Sequence, residues 1–203
     1  MKTGVIILAA GAASRMRRPK MLLPFGDTFL VSQLIREVKE IGPESIVLVT
    51  GRYHTEITNA IEDPAVEFIH NVNWQDGMAG SIGLGIAVMQ KRKLDNCFIL
   101  VCDQPFLDHH LLRAMQEKQF ETGKGIVAAF YKGIPGTPVL FAAKYFGQLQ
   151  QLRGDQGAKA ILQGNPQDLV TVDFPLGSMD LDTPADYAAF CQKTGQKNVD
   201  RSI

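Results

Sequence analysis

The sequence predicts an α/β fold with a mostly parallel central sheet flanked by helices. Short apolar runs alternate with segments of helical periodicity up to about residue 120, which is typical of parallel strands joined by crossover helices. The apolar runs predict strands at Val5–Leu8, Ser45–Thr50, Val66–His70 and Cys97–Val101. The periodic segments predict helices at Phe29–Ile41, His54–Ile61, Ser81–Gln90 and His110–Phe120.

The pattern changes after Lys124. Gly125–Tyr131 and Pro138–Phe141 have strand character and are separated by the Gly/Pro-rich segment Lys132–Pro138, which predicts a turn and a mixed or antiparallel addition to the sheet. Thr183 followed by Pro184 predicts the start of a last helix, running to about Gln192. We expect a single domain over residues 1–192 and a polar tail over residues 193–203.

Composition excludes several classes of protein. The chain has 203 residues, 45% of them apolar, and its 21 basic and 21 acidic residues cancel, so no general nucleic-acid footprint is expected. The first apolar run ends at Gly11, which is too short for a membrane span, and no membrane association is expected. The odd number of cysteines, Cys97, Cys102 and Cys191, argues against a disulfide framework or zinc site and favours the cytoplasm.

A loop of small residues follows the first strand. Ala9, Ala10, Gly11, Ala12 and Ala13 leave backbone N–H groups open to an anion. Four cations follow within six positions: Arg15, Arg17, Arg18 and Lys20. The spacing matches neither a Walker A loop nor the dinucleotide fingerprint. The loop therefore predicts a phosphate site of another kind, the alternative being a solvated basic turn.

Carboxylates are expected at the same edge of the sheet. Asp103 ends an apolar strand, and Asp180 and Asp182 follow an extended stretch at i, i+2 spacing. Carboxylates that face a phosphate site suit Mg²⁺, because this ion binds one or two protein carboxylates together with phosphates and water. The alternative for Asp182 is a helix cap or turn residue before Thr183, and for Asp103 a turn residue before Pro105.

The segment from Leu8 to Lys20 resembles the first loop of a nucleotidyltransferase family, Leu-Ala-(Ala/Gly)-Gly-x-x-x-Arg-Met-Gly-x-x-Lys. Within that family it is most similar to the molybdenum cofactor cytidylyltransferases, because Ala10 is the second small residue and Pro19 precedes Lys20. The likeness extends from Val5 to Asp186 and includes Gly-Met-x-x-Ser at Gly77–Ser81. It implies a Rossmann-like, GT-A-like nucleotidyltransferase fold.

The resemblance also implies roles for individual residues. Catalysis falls to Arg15, Lys20 and Asp103, and the Mg²⁺ ligands are Asp103 and Asp182, with Asp180 as the alternative to Asp182. Nucleotide binding falls to Leu8, Ala9, Ala10, Gly11, Arg15, Lys20, Gly77, Met78 and Ser81. The acceptor side is expected at Gly133, Gly136, Pro138, Gly154, Asp155 and Gly157, and these last six read almost equally well as tight turns.

The implied reaction is transfer of CMP from CTP to the phosphate of molybdopterin or its molybdenum-loaded form, with release of pyrophosphate. The alternatives are another small phosphate acceptor such as a sugar phosphate, GTP as donor, and a non-catalytic chaperone that delivers a finished cofactor to a molybdenum hydroxylase apoenzyme. The presence of both Lys20 and Asp103 favours a catalytic role over that of a non-catalytic carrier. No role is assigned to the four histidines.

Overall fold

The computed structural model describes residues 1–11, 16 and 19–196. Ala12, Ala13, Ser14, Arg15, Arg17 and Arg18 of the predicted phosphate loop, and residues 197–203 of the predicted tail, lie outside the described residues. The strands are β1 Thr3–Ala9, β2 Pro24–Phe25, β3 Thr28–Phe29, β4 Ser45–Thr50, β5 Val66–His70, β6 Asn96–Val101, β7 Ile126–Tyr131, β8 Ile134–Ala142 and β9 Leu169–Asp173. The helices are α1 Leu30–Lys39, α2 His54–Ala60, α3 Met78–Lys91, α4 His109–Thr122, α5 Phe146–Gln150, α6 Ala158–Gly164 and α7 Pro184–Thr194.

Within the described ranges the main sheet has seven strands in the order β5-β4-β1-β6-β8-β7-β9, and β8 alone of these runs antiparallel to its neighbours. The chain moves outward from β1 to β4 and β5, then returns to place β6 on the other side of β1. The order therefore reverses between β1 and β6. In open α/β sheets the carboxyl ends of strands at such a reversal form the ligand crevice.

Helices cover both faces of the sheet. Val5 and Ile7 of β1 point into a core shared with α1, α2 and α4, whereas Ile6 points into the core shared with α3, α5 and α6. This alternation explains why β1, buried on both faces, reads as an unbroken apolar run. A smaller cluster beneath α7 joins Leu23, Leu181 and Phe190 and brings the chain before α7 back to the carboxyl edge of the sheet.

The α/β class and the mixed addition are confirmed, and the four parallel strands predicted from apolar runs are present. The predicted turn over Lys132–Pro138 is wrong in extent, because β8 begins at Ile134. The register of pairing between β7 and β8 shifts between Ala128 and Ala129, so that Thr137 and Pro138 of β8 have no partner on β7 and form a bulge. A bulge lets a strand accommodate proline, which has no N–H to donate. Strand β9 was not predicted, and α7 ends at Thr194 rather than Gln192.

Candidate active site

A cleft of about 420 Å³ opens at the carboxyl ends of β1 and β6. Its volume lies within the usual range for small-molecule sites. It gathers all the predicted nucleotide-binding residues that the structure describes, together with Asp103 and Asp155. The residues that line it are Leu8, Ala9, Ala10, Gly11, Lys20, Met21, Trp74, Gln75, Gly77, Met78, Ser81, Val101, Cys102, Asp103 and Asp155.

Lys20 is held by a short 3-10 turn whose next two residues are buried. Leu22 N–H donates to Pro19 O at 3.0 Å, and Leu23 N–H donates to Lys20 O at 3.0 Å. Met21 and Leu22 are 4% and 3% exposed and pack into the core beneath α1. The backbone of Lys20 is thus fixed by packing, while its side chain is left to face the cleft.

Lys20 meets two of the predicted carboxylates. Its ammonium lies 3.5 Å from Asp103 Oδ2 and donates a short hydrogen bond to Asp182 Oδ1. Leu181 N–H donates to Asp103 O at 3.0 Å, which ties the segment before α7 to the end of β6. Residues 162 positions apart in sequence are therefore brought together at the mouth of the cleft.

Asp182 is not the cap of α7. Thr183 is the N-cap: its hydroxyl accepts from Asp186 N–H at 3.2 Å, and Asp186 Oδ2 accepts from Thr183 N–H at 2.7 Å. Asp186 also accepts from Asp182 N–H at 3.2 Å. This capping box fixes the backbone of Asp182 without using its side chain, which is turned toward Lys20.

The carboxylates at this edge of the sheet repel one another. Burial raises the pKa of Asp103, the Lys20 ammonium opposes the rise, and the Asp182 carboxylate adds to it. Burial and the carboxylates of Asp103 and Asp182 likewise raise the pKa of Asp180, against the opposing charges of Lys132 and Lys20. A metal cation bound between these carboxylates and the phosphates of a nucleotide would relieve this repulsion.

Cys102 lines the cleft but is a poor nucleophile. Burial and the neighbouring Asp103 carboxylate raise the pKa of its thiol far above the ordinary value. Since the thiolate is the reactive form, the side chain is inert packing. Cys97, Cys102 and Cys191 are all buried free thiols.

The N-terminus of α3 forms one wall of the cleft. Gly77 precedes it with φ +105°, and a Cβ there would lie 2.3 Å from the carbonyl of Gly154. Ala79 N–H donates to Gly154 O at 3.0 Å, so the two segments touch through backbone. Only glycine supplies both the positive φ and this close approach. The first turn of α3 has neither an acidic residue nor a capping side chain.

Asn71 organises the same wall and was not singled out from the sequence. Its Nδ2 donates to Ser81 Oγ at 3.0 Å, its Oδ1 accepts from Asn73 N–H at 3.1 Å, and its backbone bonds Thr50 and Trp74. Ser81 is only 2% exposed, so its hydroxyl is fixed by Asn71 rather than free to move. A polar residue directly after the β5 strand was the available signal.

Gln104 was also missed. It is 4% exposed, and its Nε2 donates to Thr137 O at 3.0 Å, Gly177 O at 3.1 Å and Tyr131 Oη at 3.2 Å. Gln104, which directly follows Asp103, is thus hydrogen-bonded to the bulge in β8. No sequence signal identified it, because its partners are distant in the chain.

The structure divides the six residues predicted for the acceptor side. Gly154 and Asp155 lie against Gly77, and a Cβ on Gly157 would lie 3.0 Å from Met78 Sδ, so these three belong to the α3 wall. Gly133, Gly136 and Pro138 lie instead on the β7–β8 hairpin, and none of them lines the cleft. The six residues therefore form two separate groups in the fold, and their role in binding the acceptor stays a prediction.

Asp103 and Asp182 present hard oxygen donors beside the cleft, which is the donor chemistry that suits Mg²⁺. Over residues 1–11, 16 and 19–196, no three His, Cys, Asp or Glu side chains converge into a complete metal cage. Mg²⁺ bound with nucleotide needs only one or two protein carboxylates, with phosphates and water as its other ligands. The residues therefore fit the ion, and Lys20 contacts the same oxygens.

The MobA-like NTP transferase domain matches residues 5–170 of the sequence. The chain belongs to this family. The matched span contains Lys20, Asp103 and all residues that line the cleft, whereas Asp180, Asp182 and α7 follow it.

The molybdenum cofactor cytidylyltransferase of Escherichia coli strain K12 is 27% identical to this MobA-like chain over 184 residues, which are 90% of this chain and 92% of that protein. Rv0371c from Mycobacterium tuberculosis H37Rv shares the fold at a TM-score of 0.79 with 23% identity, covering 95% and 98% of the two chains. It has also been solved as a manganese complex.

CMP:2-keto-3-deoxy-manno-octonic acid synthetase, solved with CTP, shares the fold at a TM-score of 0.75 with 13% identity, covering 97% and 99% of the two chains. These structures confirm the predicted nucleotidyltransferase fold. Among the described helices, none combines the length and apolar character that crossing a bilayer requires.

Proposed function

We propose that this MobA-like transferase moves CMP from CTP to the phosphate of molybdopterin or molybdenum cofactor, giving the cytosine dinucleotide and pyrophosphate. The observation that carries nucleotidyl transfer is the convergence of Lys20 with Asp103 and Asp182 at the mouth of the cleft. The choice of CTP and molybdopterin rests on the Escherichia coli relative, which covers nearly the whole chain.

The reaction needs no general base. A phosphate monoester has its second pKa at about 6, so the acceptor is largely dianionic at neutral pH. One of its oxygens attacks the α-phosphorus of CTP, the bond from that phosphorus to the bridging oxygen breaks, and pyrophosphate leaves with the bond electrons. The absence of a histidine among the residues that line the described cleft agrees with this scheme.

The chain's own residues bind and orient the reactants. Ala10, Gly11 and the start of α3 line the cleft, where their backbone N–H groups would receive the phosphates. Lys20 supplies a mobile charge for the phosphate on which negative charge increases. Arg15 remains a predicted phosphate ligand. Mg²⁺, when bound by Asp103 and Asp182, would neutralise charge on the α-phosphate and on the leaving pyrophosphate.

The test is pyrophosphate release from CTP, GTP and ATP in separate assays with Mg²⁺ and purified molybdopterin. Release that requires both CTP and the pterin supports the proposal. Release with GTP or with a sugar phosphate would keep the transferase and reject these substrates. No release with any pairing would reject catalysis and favour a carrier.

A further inference from the structure

The carboxylate of Asp182 lies on a stretch of chain without regular secondary structure. Residues 179–182 follow a 3-10 turn, Pro175–Ser178, and precede α7. They also lie beyond residue 170, where the match to the MobA-like domain ends. Such a stretch keeps a fixed position only when bonds from other parts of the fold hold it. The position of Asp182 relative to Asp103 therefore depends on those bonds.

Two of these bonds come from the residues that follow β6. Asp103 O accepts from Leu181 N–H at 3.0 Å, and Gln104 Nε2 donates to Gly177 O at 3.1 Å. Leu181 is only 1% exposed and packs in the small cluster beneath α7. The segment from Gly177 to Asp182 is thus attached to the end of β6 at two separate points, and the capping box of α7 holds its far end.

The carbonyl of Gly177 is held in a tightly packed position. Gly177 N–H donates to Phe174 O at 2.8 Å. A Cβ on Gly177 would lie 2.3 Å from Cδ1 of Phe174 and 2.8 Å from the ring of Tyr131. The acceptor that Gln104 meets on this segment is therefore fixed by its own surroundings.

The orientation of the Gln104 amide is fixed by its partners. Its Nε2 lies 3.0 Å from Thr137 O and 3.1 Å from Gly177 O, and these two acceptors match its two N–H groups. The other amide atom, Oε1, is buried and has no hydrogen-bond partner among the described residues. An unpaired buried acceptor lowers stability. The residue is therefore explained by what its Nε2 holds rather than by packing in the core.

Resting on the proposed function, we infer that Gln104 is a positioning residue that keeps the carboxylate of Asp182 beside that of Asp103. Gln104 is not among the residues that line the described cleft, so it acts through the segment that carries Asp182. The single ammonium of Lys20 contacts both carboxylates, which are thus close enough to share one cation. A carboxylate that is already held in place binds a cation more tightly than one that must first be ordered.

The test variant is Gln104→Met, which keeps most of the side chain's volume and removes both N–H donors. The matched control is Gln119→Met on α4. Gln119 is 5% exposed, its Nε2 has no partner within the described part of the chain, and it does not line the described cleft. This control removes a buried amide of the same kind without removing a hydrogen bond from its nitrogen.

The first readout is binding of Mn²⁺, which takes the same oxygen ligands as Mg²⁺. A non-reactive methylene analogue of CTP fills the cleft, the protein is in excess over the analogue, and electron paramagnetic resonance measures free Mn²⁺. Gln104→Met should weaken Mn²⁺ binding at least about tenfold, as is usual when the partner that orients a metal ligand is lost. Gln104→Asn, a milder change whose amide is one methylene too short, should weaken it in the same direction. Gln119→Met should bind Mn²⁺ as the wild type does.

A double-mutant cycle tests whether Gln104 acts through Asp182. Asp182→Asn should weaken Mn²⁺ binding by itself, and the addition of Gln104→Met should weaken it no further. Two outcomes would overturn the inference. One is equal Mn²⁺ binding by the wild type and the folded Gln104 variants, and the other is an effect of Gln104→Met that persists undiminished in the Asp182→Asn protein.

The pyrophosphate assay judges the proposed function separately. Release by Gln104→Met with the kcat and the Mg²⁺ dependence of the wild type keeps the transferase and rejects the role of Gln104. Mn²⁺ binding that depends on Gln104, without pyrophosphate release from any pairing of substrates, keeps the role of Gln104 in holding Asp182 and rejects the transferase.

Discussion

Lys20 has two roles that a surface lysine does not have. Its ammonium compensates the carboxylates of Asp103 and Asp182, and its side chain is only 20% exposed. An incoming phosphate and a divalent cation would replace those contacts with equivalent ones. The same residue therefore links the two carboxylates and, in the proposed reaction, contacts the reacting phosphates.

Replacing Lys20 by methionine keeps most of the side chain's volume and removes its charge. Loss of one preorganised charged donor costs about 3 kcal/mol in the barrier, so kcat should fall at least about a hundredfold. Asp103→Ala should have an effect of similar size. Steady-state pyrophosphate release measures both.

The control for Lys20→Met is Lys39→Met, which breaks a 2.9 Å ion pair with Asp63 on the surface, where the lysine is 47% exposed. Surface pairs contribute little, and this variant should match the wild type. A folded Lys20→Met enzyme with wild-type kcat would remove Lys20 from the mechanism.

At the scale of the residue, the charged side chains were the ones that the sequence could predict. Lys20, Asp103 and Asp182 follow apolar strands or turns and carry charge, and the structure places them together. Gln104 could not be predicted, because its role consists of hydrogen bonds to residues that only the fold brings near. Asn71 was missed although its place directly after β5 was an available signal. Arg15 stays a prediction.

At the scale of the element, the first turn of α3 contacts the Arg153–Gly157 segment through backbone, with Ala79 N–H donating to Gly154 O at 3.0 Å. Gly77→Ala forces a Cβ to within 2.3 Å of Gly154 and demands a positive φ. We expect a loss of stability of about 2 kcal/mol and weaker CTP binding, because overpacking and strain each cost 1 kcal/mol or more.

The matched variant is Gly83→Ala in the middle of α3, where a Cβ would meet no atom within 4 Å. It should stabilise the protein by about 0.5–1 kcal/mol and leave CTP binding unchanged. Urea unfolding and Trp74 fluorescence measure the two effects. Equal behaviour of the two alanine variants would contradict the close approach at Gly77.

The capping box of α7 gives a second prediction for an element. Thr183→Ala removes the N-cap and should cost about 1 kcal/mol of stability. It should also lower kcat, because the same box fixes the backbone of Asp182. Thermal unfolding and pyrophosphate release test these effects.

Asp108→Ala is the control for Thr183→Ala. Asp108 is the N-cap of α4 and accepts from Leu111 N–H at 2.9 Å, and it does not line the cleft. It should show a similar loss of stability with an unchanged kcat. A kcat that falls equally in both variants would mean that the effect is general destabilisation.

Strands that are buried on both faces were predicted correctly from the sequence. Strands β1, β4 and β6 are buried on both faces, and their continuous apolar runs were recognised. Strand β9 is partly exposed at the edge of the sheet and has the mixed sequence Leu-Val-Thr-Val-Asp, which gives a weak signal. The start of β8 was missed because Pro135 and Gly136 are typical of turns, and only pairing with β7 makes them a strand.

At the scale of the whole molecule, Asp168 fastens the β9 edge to the rest of the sheet. Its carboxylate accepts from Tyr145 Oη at 2.5 Å, Lys144 Nζ at 2.7 Å and Gly125 N–H at 3.1 Å. Burial opposes its ionisation, but these bonds prevail and lower the pKa of Asp168 from 3.8 to about 2.

Because the folded pKa is lowered, the stability that Asp168 contributes is present above pH 3.8 and is lost as the pH falls through about 2. Asp168→Asn should therefore be less stable at neutral pH and lose less of its stability between pH 4 and pH 2. Urea unfolding across this range measures the slope. Asp27→Asn, an exposed change in the β2–β3 turn, should keep the wild-type slope.

In the proposed function, the reversal between β1 and β6 brings two phosphates together for transfer. The most direct measurement uses CTP labelled at the α-phosphate, with Mg²⁺ and molybdopterin, and follows where the label goes. We predict that it appears in the pterin product, in amounts equal to the pyrophosphate released, and that Lys20→Met abolishes both. Label found only in free CMP, or only in unreacted CTP, would contradict the proposed transfer of CMP.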